Sequence, residues 1–208
     1  MITGSEEESR RLMMNAAVKI IAAYGFEGFT TKKWAKEAGV AEGSLYYHFR
    51  SKNDLLSETF FYLDEMLEPY YVNIIAAAAG ADGLDDEETA GRLAEQWRSY
   101  YHYLVQHPEY SIYYYRFRTS PRYTKEIREQ QFRKLLKPGM IIYPAESVRK
   151  QNLLLTLMSD LVSAMAFRTV TGLYDDNESN LEFVRCLVLN GVKGAVSHFR
   201  MQADGRES

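Results

Sequence analysis

The sequence of 208 residues has little of what marks several classes of protein. Cys186 is its only cysteine, so no intrachain disulfide can form, and prolines number five. The longest run of small apolar residues, 74–79, is far too short to span a bilayer. The beginning of the chain is acidic, where a secretory signal peptide is basic. We therefore expect a cytoplasmic protein with no membrane partner, in which the cysteine is a small buried hydrophobe.

Patterns that carry catalysis or bind metals are also missing. The four histidines are widely spaced, and none belongs to a His-Glu-x-x-His or Glu-x-x-His motif. There is no Gly-rich phosphate loop and no Gly-x-Ser-x-Gly elbow. The sequence therefore predicts a protein that is not an enzyme and that holds no metal and no cofactor.

What is present is helical periodicity. No stretch alternates apolar and polar residues for long enough to predict a strand. The sequence predicts an all-α fold of about nine helices. The first should run from Ser5 to Tyr24, and a later one from about Pro121 to Lys137. For the first helix we expect one apolar face formed by Leu12, Ala16, Ile20 and Ala23.

The charges are unevenly distributed along the chain. The net charge is −3, yet residues 10–52 hold eight basic and three acidic side chains, an excess of five positive charges. A positive segment on an acidic remainder is typical of a head that binds a polyanion.

The stretch 30–52, TTKKWAKEAGVAEGSLYYHFRSK, has the spacing of a helix-turn-helix with helices at about 31–38 and 42–48. Ala35 is small enough for the second helix to approach, and Gly39 can adopt the positive φ that a sharp turn needs. The apolar interior should contain Trp34, Ala38, Val40 and Leu45. The opposite face can donate hydrogen bonds to phosphates and base edges.

A wider pattern surrounds these helices. It consists of Gly25-Phe26, Phe29-Thr30-Thr31, Ala35, Ala38-Gly39-Val40, Gly43-Ser44-Leu45-Tyr46, His48-Phe49 and Ser51-Lys52. Over roughly residues 10–60 the sequence resembles the N-terminal signature of the TetR family of bacterial transcriptional regulators. Trp34 departs from that signature, which usually has an aliphatic residue there. The resemblance predicts a DNA-binding domain at 1–52 and an effector-binding and dimerisation domain at 53–208.

The resemblance also implies which residues contact double-stranded DNA. They are Thr31, Lys32, Glu42, Gly43, Ser44, Tyr46, Tyr47, His48 and Lys52. Residues 42–44 should point to bases, and Lys52 should hold a phosphate at the start of the next helix. Glu42 brings a negative charge to this surface and should narrow the range of accepted sequences. For Tyr46, packing in the core and contact with a groove remain equally open.

Aromatic residues are concentrated further along the chain. Of 16 tyrosines, eight lie between residues 100 and 123. The rings could seal contacts between helices, or they could wall an effector pocket, which is what this region forms in the family. For the second interpretation the lining residues are predicted to be Trp97, Tyr101, Tyr114, Phe117, Met158 and Met165.

The last two predicted helices, at about 145–172 and 180–200, are apolar over more of their surface than one core face requires. We expect them to pair with a second copy of the chain, although an internal core would also explain them. The predicted interface residues are Leu154, Leu161, Val184, Leu187, Val188, Gly191, Val192 and Ala195. A two-fold dimer requires a roughly palindromic operator.

Taken together, these features predict a homodimeric transcriptional repressor that binds an operator and is released by a small-molecule effector. The alternative keeps the fold and the DNA binding but has no ligand switch. Such a protein would organise DNA or recruit partners constitutively.

Overall fold

The computed structural model describes residues 4–79, 87–135, 145–187 and 189–191. Its helices are α1 (Gly4–Tyr24), α2 (Thr31–Ala38), α3 (Ser44–His48), α4 (Lys52–Ala79), α5 (Glu87–Gln106), α6 (Pro108–Arg118), α7 (Lys125–Leu135) and α8 (Ala145–Val170). Residues 178–187 are also helical and are called α9 here. These described ranges contain no strand, and the predicted all-α fold is confirmed. None of their helices combines the length and the apolarity that crossing a bilayer requires.

The chain divides into two compact units, which we call the head unit and the body unit. The head unit comprises residues 1–66 and 107–131, and the body unit comprises residues 67–106 and 132–208. The chain therefore returns to the head unit after α5. The boundary predicted after residue 52 stays a prediction.

Helix α1 is the centre of the head unit, because both α2 and α6 pack against it. Its buried residues are Met13, Met14, Ala16, Ala17, Val18, Ile20 and Ile21. The prediction of one apolar face is confirmed for Ala16 and Ile20 and is wrong for the other two residues. Leu12 is 58% exposed and Ala23 is exposed as well. A helix packed from two sides buries a broad surface, so its core face is wider than one stripe of residues and is centred elsewhere.

Helix α6 holds α1 and α4 in place. The Tyr113 hydroxyl donates a hydrogen bond to the Leu56 carbonyl of α4 (2.7 Å). The Arg116 guanidinium donates to the Ile21 and Ala22 carbonyls in the last turn of α1, a turn that has no basic residue of its own. The aromatic segment of the sequence therefore supplies part of the core of the head unit.

In the body unit, α5 packs against α8. Buried hydroxyl groups join these helices to the second half of α4. The Tyr71 hydroxyl lies 3.2 Å from that of Tyr100 and 3.0 Å from that of Ser159, and the Tyr100 hydroxyl lies 3.0 Å from that of Ser163. These polar groups are satisfied by one another, so their burial carries little penalty.

Three local expectations differ from the structure. Helix α7 begins at Lys125 rather than Pro121, because the Thr124 side chain caps it by accepting from the Ile127 amide (3.4 Å). Helix α3 begins at Ser44, with residues 42–43 in the preceding turn. Cys186, expected to be buried, is exposed on α9.

Candidate nucleic-acid interface

The turn between α2 and α3 has the predicted geometry. Gly39 has φ 69° and ψ 29°, the left-handed conformation that glycine adopts without strain. The Gly39 amide donates to the Lys36 carbonyl (3.4 Å) and the Val40 amide to the Ala35 carbonyl (3.0 Å), which closes the end of α2. Ala35 is buried. The predicted roles of Gly39 and Ala35 in the helix-turn-helix are therefore confirmed.

The interior of the motif is anchored by Trp34 and Leu45, both fully buried. The Trp34 indole N–H donates to the Met13 carbonyl of α1 (2.9 Å). The residue that departs from the family signature therefore ties α2 to α1. Its ring adds apolar contact and its N–H is satisfied.

The outer surface of the motif presents most of the predicted DNA-binding residues to solvent. Tyr46 is 67% and Tyr47 79% exposed, so the structure decides against Tyr46 as a core residue. Lys32, Glu42 and Gly43 are also exposed, and Thr31, Ser44, His48 and Lys52 are partly buried.

Glu42 and Thr31 come together on this surface. The Thr31 hydroxyl lies at the start of α2 and donates to the Glu42 carboxylate across 3.4 Å. The carboxylate is therefore oriented from the neighbouring helix while it stays exposed. A carboxylate held in this way can accept from a base amino group in the major groove.

His48 is placed differently from the two tyrosines before it. Its Nδ1 atom is buried and has no hydrogen-bond partner within the described residues. The Tyr47 ring packs edge-on against the imidazole, with 4.8 Å between the ring centres. His48 therefore contacts the Tyr47 ring, which stays exposed, through its partly buried imidazole.

The positive charge on this surface is smaller than the sequence count suggests. Several of the eight basic side chains in 10–52 already have a glutamate partner: Arg10 pairs with Glu58, Arg11 with Glu7 (2.7 Å) and Lys19 with Glu37 (3.4 Å). Glu7 and Glu58 lie outside the counted segment, which is why the count missed them. Lys32, Lys36 and Arg50 are exposed and make no ion pair in the described part of the chain.

Lys52 opens α4 and is held by the turn that precedes α2. Its ammonium donates to the Phe29 carbonyl (2.7 Å) and lies 4.9 Å from the centre of the Phe29 ring. Burial, and secondly the positive charge of Arg122, lower the pKa of Lys52 from its ordinary value. The ammonium keeps two further N–H groups that can donate to a phosphate.

The six predicted effector residues fall into three groups. Trp97 and Tyr101 line a cleft of about 40 Å³ between α5, α8 and α9. Tyr114 and Phe117 belong to the head unit, where both are buried and stack on Phe60, with ring centres 5.2 and 4.6 Å apart. Met158 and Met165 are partly buried in α8.

The cleft has one unusual polar group. The Trp97 indole N–H is buried and finds no acceptor among the described residues. Its neighbour Tyr101 is satisfied, because its hydroxyl lies 2.9 Å from that of Thr169 and donates to Asp176 (3.3 Å). Two ion pairs line the cleft, Arg98 with Glu178 and Arg185 with Glu182.

The predicted dimer residues fall into three groups. Leu187 is 46% exposed and Gly191 is exposed, whereas Leu161 is partly buried and Val184 is buried and lines the cleft. The Leu154 side chain and residues Val188, Val192 and Ala195 lie outside the described residues. Sequence reasoning missed Phe183, which is 64% exposed. Its position one turn before Leu187 was the available signal.

The geometry thus defines an all-α protein with a helix-turn-helix near its beginning. Residues 13–59 match the sequence model described as "Bacterial regulatory proteins, tetR family". The N-terminal segment of the chain is therefore similar to that family, and the predicted resemblance is confirmed. The match is to a family of regulators, in line with the prediction that the chain is not an enzyme.

Curated relatives are similar over the same segment. The fatty acid metabolism regulator protein of Bacillus subtilis (strain 168) is 42% identical over 48 residues, 23% of this chain and 25% of that protein. The HTH-type transcriptional regulator AcrR of Shigella flexneri is 35% identical over 52 residues, 25% of this chain and 24% of that protein. Each match spans about a quarter of the relative's length.

Solved structures are similar over most of the chain. A TetR family transcription regulator from Marinobacter aquaeolei VT8 superposes with a TM-score of 0.67 at 20% identity, covering 89% of this chain and 96% of that one. A putative TetR family regulator from Shewanella sp. PV-4 gives 0.62 at 21% identity, with 88% and 97% covered. At these identities the likeness establishes the fold alone.

Proposed function

We propose that the protein is a homodimeric transcriptional repressor in the cytoplasm, which binds a roughly palindromic DNA operator and is released by a small-molecule effector. The exposed surface of α2 and α3 carries the proposal. It combines unpaired lysines, two exposed tyrosines and an oriented carboxylate on a motif whose other side is buried. Such a surface can contact phosphates for affinity and base edges for specificity.

Selection of bound sequences from a random duplex pool tests the DNA-binding part. We expect a two-fold symmetric consensus, because a symmetric dimer presents two recognition helices. Glu42→Ala should relax the preference at one base position in each half-site. We expect a cytosine there, because its amino group can donate to the carboxylate. Glu37→Ala is the matched control, because Glu37 pairs with Lys19. Base preferences unchanged by Glu42→Ala would contradict its base-reading role.

Exposed apolar side chains support the dimer. Phe183 and Leu187 lie one turn apart on α9, and Leu157 is 52% exposed on α8. A run of large apolar side chains on adjacent surface-exposed positions is typical of a surface that another chain covers. These residues share the two helices for which pairing with a second copy is predicted from the sequence.

The cleft beside Trp97 supports an effector site in the body unit. An acceptor on a ligand would satisfy the buried indole N–H, which otherwise costs free energy. With a volume of about 40 Å³, the cleft has room for a few water-sized groups, whereas pockets that bind drug-sized ligands measure about 300–1,000 Å³. An effector would therefore have to widen the cleft by moving α9 or the ion pairs.

One observation favours the constitutive alternative. Tyr114 and Phe117, expected to wall a pocket, are packed in the core of the head unit. Trp97 fluorescence in a Trp34→Phe background, followed during titration with candidate compounds together with operator binding, separates the two functions. A compound that changes both signals supports the switch. If compounds that alter Trp97 emission leave operator affinity unchanged, the constitutive function is favoured.

A further inference from the structure

Two positive side chains of the head unit, Lys52 and Arg122, each lie over an aromatic ring of the same turn. The turn joins α1 to α2, and within it the Phe29 amide donates to the Phe26 carbonyl (3.3 Å). Lys52 lies over the Phe29 ring, while the Arg122 guanidinium lies 4.6 Å from the centre of the Phe26 ring. Lys52 opens α4, and Arg122 comes from the connection between α6 and α7. The fold therefore brings together two cations that are far apart in sequence.

Neither cation has a carboxylate partner among the residues that the structure describes. Within the described residues, Lys52 donates only to the Phe29 carbonyl, and the Arg122 side chain makes no ion pair and has a buried Nε without an acceptor. The contrast with Arg10, which has Glu58 as its partner, shows that the head unit does supply carboxylates elsewhere. Two like charges placed together without a counter-charge repel each other, and partial burial strengthens the repulsion.

The surroundings fix Arg122 in this position. The Ser120 hydroxyl accepts from the Arg122 amide (3.2 Å), and the Phe26 ring lies beneath the guanidinium. The Phe26 ring in turn packs edge-on against Tyr113, which is fully buried, with 6.0 Å between ring centres. The Arg122 backbone is therefore tied to Ser120, and its guanidinium rests on a ring that is itself packed in the core.

We propose that Lys52 and Arg122 together bind one phosphate-type oxyanion, and that in the DNA complex this anion is a phosphate of the DNA backbone. The inference rests on the proposed DNA-binding function. The planar guanidinium can donate to two phosphate oxygens, and the ammonium can donate to a third. The amino end of α4, a helix of 28 residues, adds partial positive charge at Lys52. The DNA-binding surface then includes a residue far beyond the segment that matches the family.

Salt dependence of DNA binding tests the assignment to the backbone. Each neutralised phosphate adds about −0.9 to the slope of log K against log salt concentration. Arg122→Gln should make the slope shallower by about that amount, equally on a duplex of the selected sequence and on a scrambled duplex. Arg122→Lys should keep the slope, because it keeps the charge. Arg128→Gln is the matched control, since Arg128 is exposed on α7 and makes no side-chain contact in the described residues.

Thermal unfolding without DNA tests the oxyanion site itself. Sodium phosphate should raise the Tm of the wild-type protein more than that of Arg122→Gln, at an ionic strength matched with sodium chloride. Phosphate also stabilises proteins generally by exclusion from their surface, and Arg128→Gln measures that contribution. Should Arg122→Gln fail to fold, Arg122→Lys must still show both the wild-type slope and the wild-type phosphate effect.

The outcomes separate the hypothesis of an oxyanion site from the proposed DNA-binding function. An Arg122→Gln protein that equals Arg128→Gln in slope and in phosphate response overturns the inference. If Arg122→Gln loses the phosphate-dependent rise in Tm but keeps the wild-type salt slope, the site binds a free oxyanion. That result would overturn the assignment to the DNA backbone. A wild-type protein that binds no duplex contradicts the proposed function, and the phosphate measurement then decides on the site alone.

Discussion

The two tryptophans, one in the head unit and one in the body unit, differ in whether the indole N–H has a hydrogen-bond acceptor. Trp34 in the head unit is fully buried, and its indole N–H donates to the Met13 carbonyl. Trp97 in the body unit is 4% exposed, yet its N–H finds no acceptor among the described residues. Both rings contribute apolar contact, but only one of the two polar groups is satisfied.

The difference fits two kinds of task. Trp34 lies inside the helix-turn-helix, which must present its surface in one geometry, and its hydrogen bond to the Met13 carbonyl helps to fix α2 against α1. A body that responds to a ligand or to a partner chain needs groups whose best interactions are not made within a single chain. Among the described residues, the Phe183 and Leu187 side chains of α9 are exposed and the Trp97 indole N–H has no acceptor.

The largest expected effect concerns the exposed apolar surface of the body unit. Phe183→Glu should convert the proposed dimer to a monomer, because it places a charge where two apolar helices are proposed to meet. Light scattering at micromolar concentration measures the mass. Loss of the dimer should weaken operator binding more than about 30-fold, the equivalent of a 2 kcal/mol hot spot.

The control for this change lies in the head unit. Leu12 is another large exposed apolar residue, on α1, at 58% exposure. Leu12→Glu should leave the mass unchanged if the head surface takes no part in dimerisation. A Phe183→Glu protein that remains a dimer, or a wild-type protein that is a monomer, would contradict the proposed interface.

The second effect compares the two tryptophans directly. Replacement by phenylalanine removes the same atoms from both positions. Trp34→Phe removes the side-chain hydrogen bond to the Met13 carbonyl, whereas Trp97→Phe removes a donor that has no acceptor among the described residues. We expect Trp34→Phe to cost about 1–3 kcal/mol more in the free energy of unfolding than Trp97→Phe.

Urea unfolding followed by circular dichroism measures both variants. Equal losses would mean that the Trp34 hydrogen bond contributes little, or that Trp97 has a partner in solution. A ligand for the body unit sharpens the comparison. Its stabilising effect should fall in Trp97→Phe and persist in Trp34→Phe.

The sequence predicted the helices well where local signals decide them. Helix α2 has the expected bounds, because the Thr30 side chain caps its start. The role of Gly39 was also predictable from the sequence, because a sharp turn after a helix needs a positive φ, which glycine adopts without strain. The start of α7 was misplaced because proline at 121 and threonine at 124 are both good starting signals.

What the sequence could not give are contacts between distant segments. The excess positive charge of 10–52 looked like a DNA-binding surface, but Arg10 and Arg11 are paired with glutamates outside that window. The tyrosines of α6 looked like pocket walls because their ring content is the same whether they face a ligand or a core. Only the packing of α6 on α1 and α4 distinguishes these cases.

The smallest effect separates two adjacent lysines of the head unit. Lys32 is exposed without an ion pair, whereas Lys33 donates to the Gly28 carbonyl (3.3 Å) and lies 4.7 Å from the centre of the Tyr24 ring. Lys32→Ala should therefore make the salt dependence of DNA binding shallower by about 0.9, one phosphate contact, with little change in stability. Lys33→Ala should leave the slope nearly unchanged and lower stability by about 0.5–1 kcal/mol through the lost ring contact. Because the two changes remove the same charge from neighbouring positions, equal slopes for both variants would show that net charge, and not the geometry of this surface, governs DNA binding.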